Sequence, residues 1–192
     1  MSSQKYIRLI DLILVIIILF LLMPLIFLII FVLFLRFNFK IFFISIRVGK
    51  NNNSFKMIKF RSFKSSHIEL NDINSKPVFI GRIIRRLSLD EIPQLLNVLM
   101  GHMSIVGPRP LPIQIENEID IHTRNIIRSV LPGITGLSQI KYNGKKRSLN
   151  HKIKYDVIYV KNISIKLYFY ILIRTIPAIF NRFLYNKKGV SN

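Results

Sequence analysis

A mainly α-helical fold with a small β element, α+β in class, is predicted by three features of the chain. These are one long uncharged apolar run, two short apolar or alternating segments around an asparagine-rich turn, and apolar residues at helical spacing through the remainder. The run makes residues 1–40 a membrane helix interrupted at Pro24, and residues 41–192 read as a second, compact unit that hugs the membrane. Composition agrees. Half of the 192 residues are hydrophobic, yet 29 Lys+Arg face 9 Asp+Glu, for a formal net charge of +20. That combination suits anionic membrane lipids, a polyanionic substrate or nucleic acid. Nucleic acid would leave the apolar run without a use, so no nucleic-acid partner is expected. The absence of cysteine excludes disulfides, thiolate catalysis and Cys-ligated zinc. His67, His102, His122 and His151 show no metal-ligand spacing.

The apolar run, Leu12 to Leu35, holds 24 residues without a charge. An ordinary spanning helix needs about 20 such residues. Pro24 removes a backbone donor and clashes with the preceding turn, so a bend there has a physical cause. The 12 residues before it reach roughly 18 Å, short of a hydrocarbon core about 30 Å thick. Lys5 and Arg8 precede the run and Arg36 and Lys40 follow it, and cations favour the cytoplasmic side. The residues leave a single span and a helix that dips in and returns evenly matched.

Beyond the run, residues 41–48 and 55–60 read as a hairpin, with turn signals at Gly49 and Asn51-Asn52-Asn53. Residues 62–77 are polar and read as loop. A helix over residues 80–87 carries Arg82, Arg85 and Arg86. In SLDEIPQLLNVLM (88–100), Ile92, Leu95, Leu96 and Leu99 form an apolar stripe. Pro93 is tolerated only in a first turn, which sets the helix start near Ser88 to Asp90. Ser88 and Glu91 then match a capping box, with Glu91 reaching back to the cap. Gly101 ends the helix. Arg109 follows between two prolines that stiffen its loop, and a second rigid turn, residues 131–136, follows a helical segment over 116–130. From Lys141 onward 12 Lys+Arg meet one acid, Asp156, among aromatics that include Tyr168, Phe169, Tyr170 and Phe180. This pattern predicts an interfacial helix with snorkelling cations.

Asp90 and Glu91 stand out in so basic a chain. At a helix start facing Arg85 and Arg86, both carboxylates would stay ionised. An ionised, partly desolvated Asp is a competent nucleophile, and a neighbouring carboxylate can hold a divalent cation or take a proton. The same arginines could hold a phosphate.

Four stretches, KFRSF (59–63), SLDEIPQLLNVLMGHMSIVGPRPLP (88–112), LPGITGLSQI (131–140) and YDVIYVKNISI (155–165), together with the N-terminal apolar segment, resemble the bacterial sugar transferases, the monotopic phosphoglycosyl transferases. The resemblance covers nearly the whole chain in the family's order. It implies a re-entrant helix bent at Pro24 at the cytoplasmic face of a bacterial inner membrane. It further implies transfer of a sugar 1-phosphate from a UDP-sugar to undecaprenyl phosphate, with release of UMP, as the first membrane step of a surface glycan. Asp90 would carry the covalent phosphosugar, and Asp90 and Glu91 would serve as catalytic and Mg2+-binding residues. Lys59, Arg85, Arg86, Arg109 and Arg147 become the phosphate- and nucleotide-binding candidates. Downstream glycosyltransferases are candidate partners.

Four positions depart from the family pattern. Met23 stands where Ser is common, His102 where an acid is usual, Leu131 where Arg is usual and Leu137 where Trp is usual. An inactive membrane-associated scaffold of the same fold is the alternative these departures raise.

Overall fold

The computed structural model describes residues 2–37, 39–63, 78–142 and 148–188. The apolar run is helical from Ser2 to Phe37 (α1) with Pro24 inside it. At 1.5 Å per residue it extends about 54 Å along its path, well beyond a hydrocarbon core of about 30 Å. Among the described residues it is the one helix long and apolar enough to cross a membrane. Phe20, Leu21, Phe27 and Leu28, on either side of Pro24, are exposed. Residues nearer both ends are not: Ile7, Asp11 and Val15 are buried in one half and Ile29 and Leu33 in the other.

Two polar side chains fasten the first half of α1 to the rest. Arg8 donates to the carbonyls of Val98 (2.7 Å), Leu99 (3.3 Å) and Met103 (3.5 Å), so a cation meets the partial negative charge at the end of the helix that carries Val98 and Leu99. Asp11, fully buried, accepts from the Ser104 hydroxyl (2.7 Å), the Ile105 N–H (3.0 Å) and the Tyr168 hydroxyl (2.7 Å). Three donors are what make a carboxylate tolerable at that depth.

The expected hairpin is present. Strands β1 (Phe42–Val48) and β2 (Ser54–Phe60) pair antiparallel, Phe42 opposite Phe60 and Val48 opposite Ser54. The turn places Asn51 and Asn52 at positive φ, which asparagine accepts more readily than most residues. Phe55 and Met57 bury one face, while Phe42, Ile44 and Ile46 stay exposed on the other. Helix α2 (Phe79–Arg86) matches the predicted one within a residue.

The next segment departs from expectation. Leu89–Glu91 form a separate 3₁₀ turn, and helix α3 begins at Gln94, with Pro93 just ahead of it (α3, Gln94–Leu99). Ser88 is left-handed at φ 57 and makes no side-chain cap. A helix cap uses extended backbone, so the capping box does not form. The apolar stripe is also corrected: Ile92, Leu95 and Val98 are buried, whereas Leu96 is 42% and Leu99 36% exposed. Asn97, fully buried, explains the rotation of α3, since it accepts from Ile58 N–H (3.0 Å) and donates to Lys56 O (2.8 Å). Gly101 ends the segment at φ +81, as expected.

A second sheet was not foreseen. Strands β3 (Ser104–Val106) and β4 (Gly133–Thr135) run parallel, Ser104 opposite Gly133 and Val106 opposite Thr135. The two rigid turns therefore form one structure. A Cβ on Gly133 would sit 2.0 Å from the Gly107 nitrogen, which only glycine avoids. The helical segment between them resolves into α4 (Ile113–Glu116) and α5 (Ile121–Ile127), joined by a buried Arg128–Glu116 ion pair with Nε to Oε1 at 2.6 Å.

Helices α6 (Leu137–Tyr142), α7 (Leu149–Lys161) and α8 (Ile165–Lys188) complete the chain. Exposed Ile165, Phe169, Ile173, Ile176 and Phe180 recur along one side of α8, with buried Tyr168 and Ile171 on another. This is an amphipathic helix of the expected kind, except that Tyr168 belongs to the core and not to the interface.

Asp11→Ala would leave three buried donors without an acceptor and should destabilise the fold by about 2–4 kcal/mol. Denaturant unfolding of the detergent-solubilised protein measures it; an unchanged midpoint would remove Asp11 as an anchor.

Candidate active site

Glu91 has a different partner from the one a capping box would supply. Its Oε1 accepts from Lys59 Nζ at 3.1 Å and from Arg109 Nη2 at 3.0 Å. Lys59 arrives from β2, Arg109 from the doubly proline-flanked loop after β3, and Glu91 from the 3₁₀ turn between them. Two charge-assisted bonds outweigh a single cap to a backbone N–H.

Burial of Glu91 would raise its pKa, but Arg109 and Lys59 more than offset this and hold it at about 2. Burial lowers the pKa of Lys59, against the raising pull of Glu91. The pKa of Arg109 is raised chiefly by Glu91. A carboxylate titrating near 2 is a poor proton acceptor at neutral pH; its chemistry is that of a fixed negative charge. Asp90 is buried in the same turn, and its charge is felt by both Lys59 and Arg109. Four of the predicted residues, Lys59, Asp90, Glu91 and Arg109, are thereby brought together.

Arg85 and Arg86 lie on α2, which packs against the turn that carries Asp90 and Glu91. Arg85 is exposed, with its guanidinium 4.8 Å from the centre of the Phe63 ring. Arg86 is half-buried at the end of α2. Neither lines the adjoining cavity. Arg147 lies outside the described residues, as do Lys145, Lys146 and most of the predicted 62–77 loop.

The cavity beside Glu91 and Arg109 has a volume of about 520 Å³. Ile18 and Leu22 of α1 and Ala178 and Ile179 of α8 contribute apolar wall, and Arg128, Ser138, Gln139 and Asp156 contribute polar wall. It thus runs from membrane helix to ion cluster. Asp156 was read from the sequence only as the lone acid in a basic region. Burial pushes its carboxyl up to about 7, against the pull of the Ser138 hydroxyl, the Arg128 charge and the Arg109 backbone N–H. A single acid retained in so basic a stretch was the available signal.

Met23, His102, Leu131 and Leu137 do not line this cavity. His102 stacks on Phe55 at 5.8 Å, Leu137 is in the core, and Leu131 borders a separate cavity beside Tyr159.

The family model for bacterial sugar transferases matches residues 2–182. The chain belongs to the bacterial sugar transferase family. A UDP-N-acetylgalactosamine-undecaprenyl-phosphate N-acetylgalactosaminephosphotransferase of Aeromonas hydrophila is 36% identical over 74% of this chain and 36% of its own length. The exopolysaccharide production protein ExoY of Sinorhizobium fredii is 35% identical over 72% of this chain and 70% of its own. A UDP-glucose:undecaprenyl-phosphate glucose-1-phosphate transferase of Klebsiella pneumoniae is 37% identical over 71% of this chain and 32% of its own. The chain thus spans about a third of two of these relatives and most of ExoY.

Asp156 ties stability to pH. From its ordinary 3.8 to about 7 the unfolded chain loses the proton that the folded chain keeps, so folded stability declines across that window by up to about 1.4 kcal/mol per pH unit. Asp156→Asn should gain on wild type from pH 4 to 7 and hold a constant lead above 8, in thermal unfolding of micellar protein. A pH-independent difference would mean that Asp156 titrates normally.

Proposed function

We propose that this protein transfers a sugar 1-phosphate from a UDP-sugar to undecaprenyl phosphate through a phosphosugar held on Asp90. The observation that carries the reading is the Lys59–Glu91–Arg109 cluster beside buried Asp90, in a bacterial sugar transferase. The relatives named for UDP-sugars and undecaprenyl phosphate support the substrate pair.

An Asp90 oxygen attacks the β-phosphorus of the UDP-sugar, the bond from that phosphorus to the bridging oxygen breaks, and UMP leaves with the electron pair. A phosphate oxygen of the lipid then attacks the same phosphorus, the bond to Asp90 breaks, and a lipid diphosphate sugar is released. No proton transfer is required if both phosphates are ionised. The protein's part is to place charge, which dominates phosphoryl transfer. Lys59 and Arg109 neutralise the phosphoryl oxygens, and Glu91 keeps the two cations in position. This role suits its pKa of about 2 better than that of a base.

Among the described residues no three His, Cys, Asp or Glu side chains form a metal-binding group. Adjacent Asp90 and Glu91 suit Mg2+, which commonly takes one or two carboxylates and completes its shell with water and substrate phosphates. When bound it would add positive charge at the transferring phosphoryl group.

The acceptor explains the membrane parts. A re-entrant α1, bent at Pro24 with both ends on the cytoplasmic face, is supported by buried residues in both halves and an exposed apolar middle. The apolar side of α8 would rest on anionic lipids. The product would begin a surface glycan and pass to downstream glycosyltransferases. The scaffold alternative is disfavoured because the four departures lie outside the cavity lining.

The test is UMP release from a panel of UDP-sugars with undecaprenyl phosphate and Mg2+. Wild type should release UMP and Asp90→Asn none, while Glu91→Gln should lose about a hundredfold in kcat; equal release by wild type and Asp90→Asn would exclude the nucleophile. For topology, cysteines at positions 5 and 40 should be labelled from the same membrane face. Labelling from opposite faces would establish a single span.

A further inference from the structure

Three residues that line the cavity each carry a buried polar atom with no hydrogen-bond partner among the described residues: Arg128 Nη1, Gln139 Oε1 and Asp156 Oδ1. Each is buried as an atom, and Arg128 and Asp156 are only 1% and 5% exposed as residues. Native proteins rarely leave such groups unpaired, and clusters of them point to a missing partner. The geometry is built and not incidental. Glu116 holds Arg128 through Nε and Nη2, which fixes the guanidinium plane and leaves the remaining nitrogen without an acceptor among the described residues. Gln139 is held as well, its amide donating to Ile134 O at 3.1 Å, which commits its nitrogen and leaves its oxygen over. The result is one donor and two potential acceptors, on rigidly held side chains of residues that line the same cavity as Glu91 and Arg109.

An isoprenoid chain satisfies none of these atoms, and a phosphate offers only acceptors. A neutral group with both donors and acceptors matches the set. We propose that Arg128, Gln139 and Asp156 form the subsite for the neutral hydrogen-bonding part of the nucleotide sugar, next to the diphosphate. This rests on the UDP-sugar reading above and adds to it the residues that recognise the donor beyond its phosphates. Two parts of such a donor have this chemistry, the uracil edge and the sugar hydroxyls. A volume of about 520 Å³ is ample for either. Because a site built to pair with polar groups rejects analogues lacking them, this wall selects the donor whichever part it holds.

The test is calorimetric binding of UMP, UDP and the UDP derivatives of glucose, galactose and N-acetylgalactosamine to the full chain in nanodiscs. Wild type is compared with Gln139→Leu and Asp156→Asn, neither of which breaks the Arg128–Glu116 pair. Each variant should bind its best UDP-sugar at least tenfold more weakly while its thermal midpoint stays level or rises. An equal loss for UMP assigns the subsite to uracil, and a loss confined to UDP-sugars assigns it to the sugar. Variants that bind every ligand as tightly as wild type overturn the proposal and leave the three atoms to water. Wild type that binds neither UMP, UDP nor any UDP-sugar overturns the donor reading itself, and this proposal with it.

Discussion

One carboxylate oxygen organises the site. Glu91 Oε1 receives a lysine from the hairpin and an arginine from the loop after β3, so three parts of the chain are fixed relative to one another by a shared charge. Buried ion pairs are poor sources of net stability because desolvation consumes most of their attraction. They are effective at fixing position, since any other arrangement strands a charge in a low-dielectric setting. A phosphate entering beside the two cations would meet positive charge that Glu91 already holds in place.

A second constraint sets where this cluster sits relative to the membrane. Arg8 and Asp11 are the last charges before the uncharged run, and both are spent on the soluble unit, Arg8 on carbonyls at the end of α3 and Asp11 on β3 and α8. Helix α3 also carries Asn97, which clasps β2, the strand of Lys59. A short chain of polar contacts therefore joins the start of α1 to the two cations of the cluster.

Much of this was readable in the residues. The apolar run, the asparagine turn and the arginine-bearing α2 follow from local signals, and the adjacency of Asp90 and Glu91 drew attention to the turn where the ion cluster forms. What was misread was non-local. The Ser88–Glu91 spacing fits a cap, and nothing in the local sequence reveals that Lys59 and Arg109 would claim the carboxylate. Arg8 looked like a membrane flank because its acceptors lie some 90 residues away. The three-residue strands β3 and β4 are too short to show alternation, and their glycines and prolines signal turns. Tyr168 looked interfacial beside Phe169 and Tyr170, yet its hydroxyl reaches Asp11 in the core.

The bond between Tyr168 and Asp11 spans 157 positions of the chain. At ribosomal speeds of roughly 5–20 residues per second, α1 is complete about 7–26 s before Tyr168 has been made. Through that interval the carboxylate at the mouth of the apolar run has only water, lipid headgroups and Arg8 for company, since Ser104 too is still unmade. Formation of α1 and completion of the pocket around Asp11 are thus separate events in time, because the hydroxyl that closes the pocket is carried by α8.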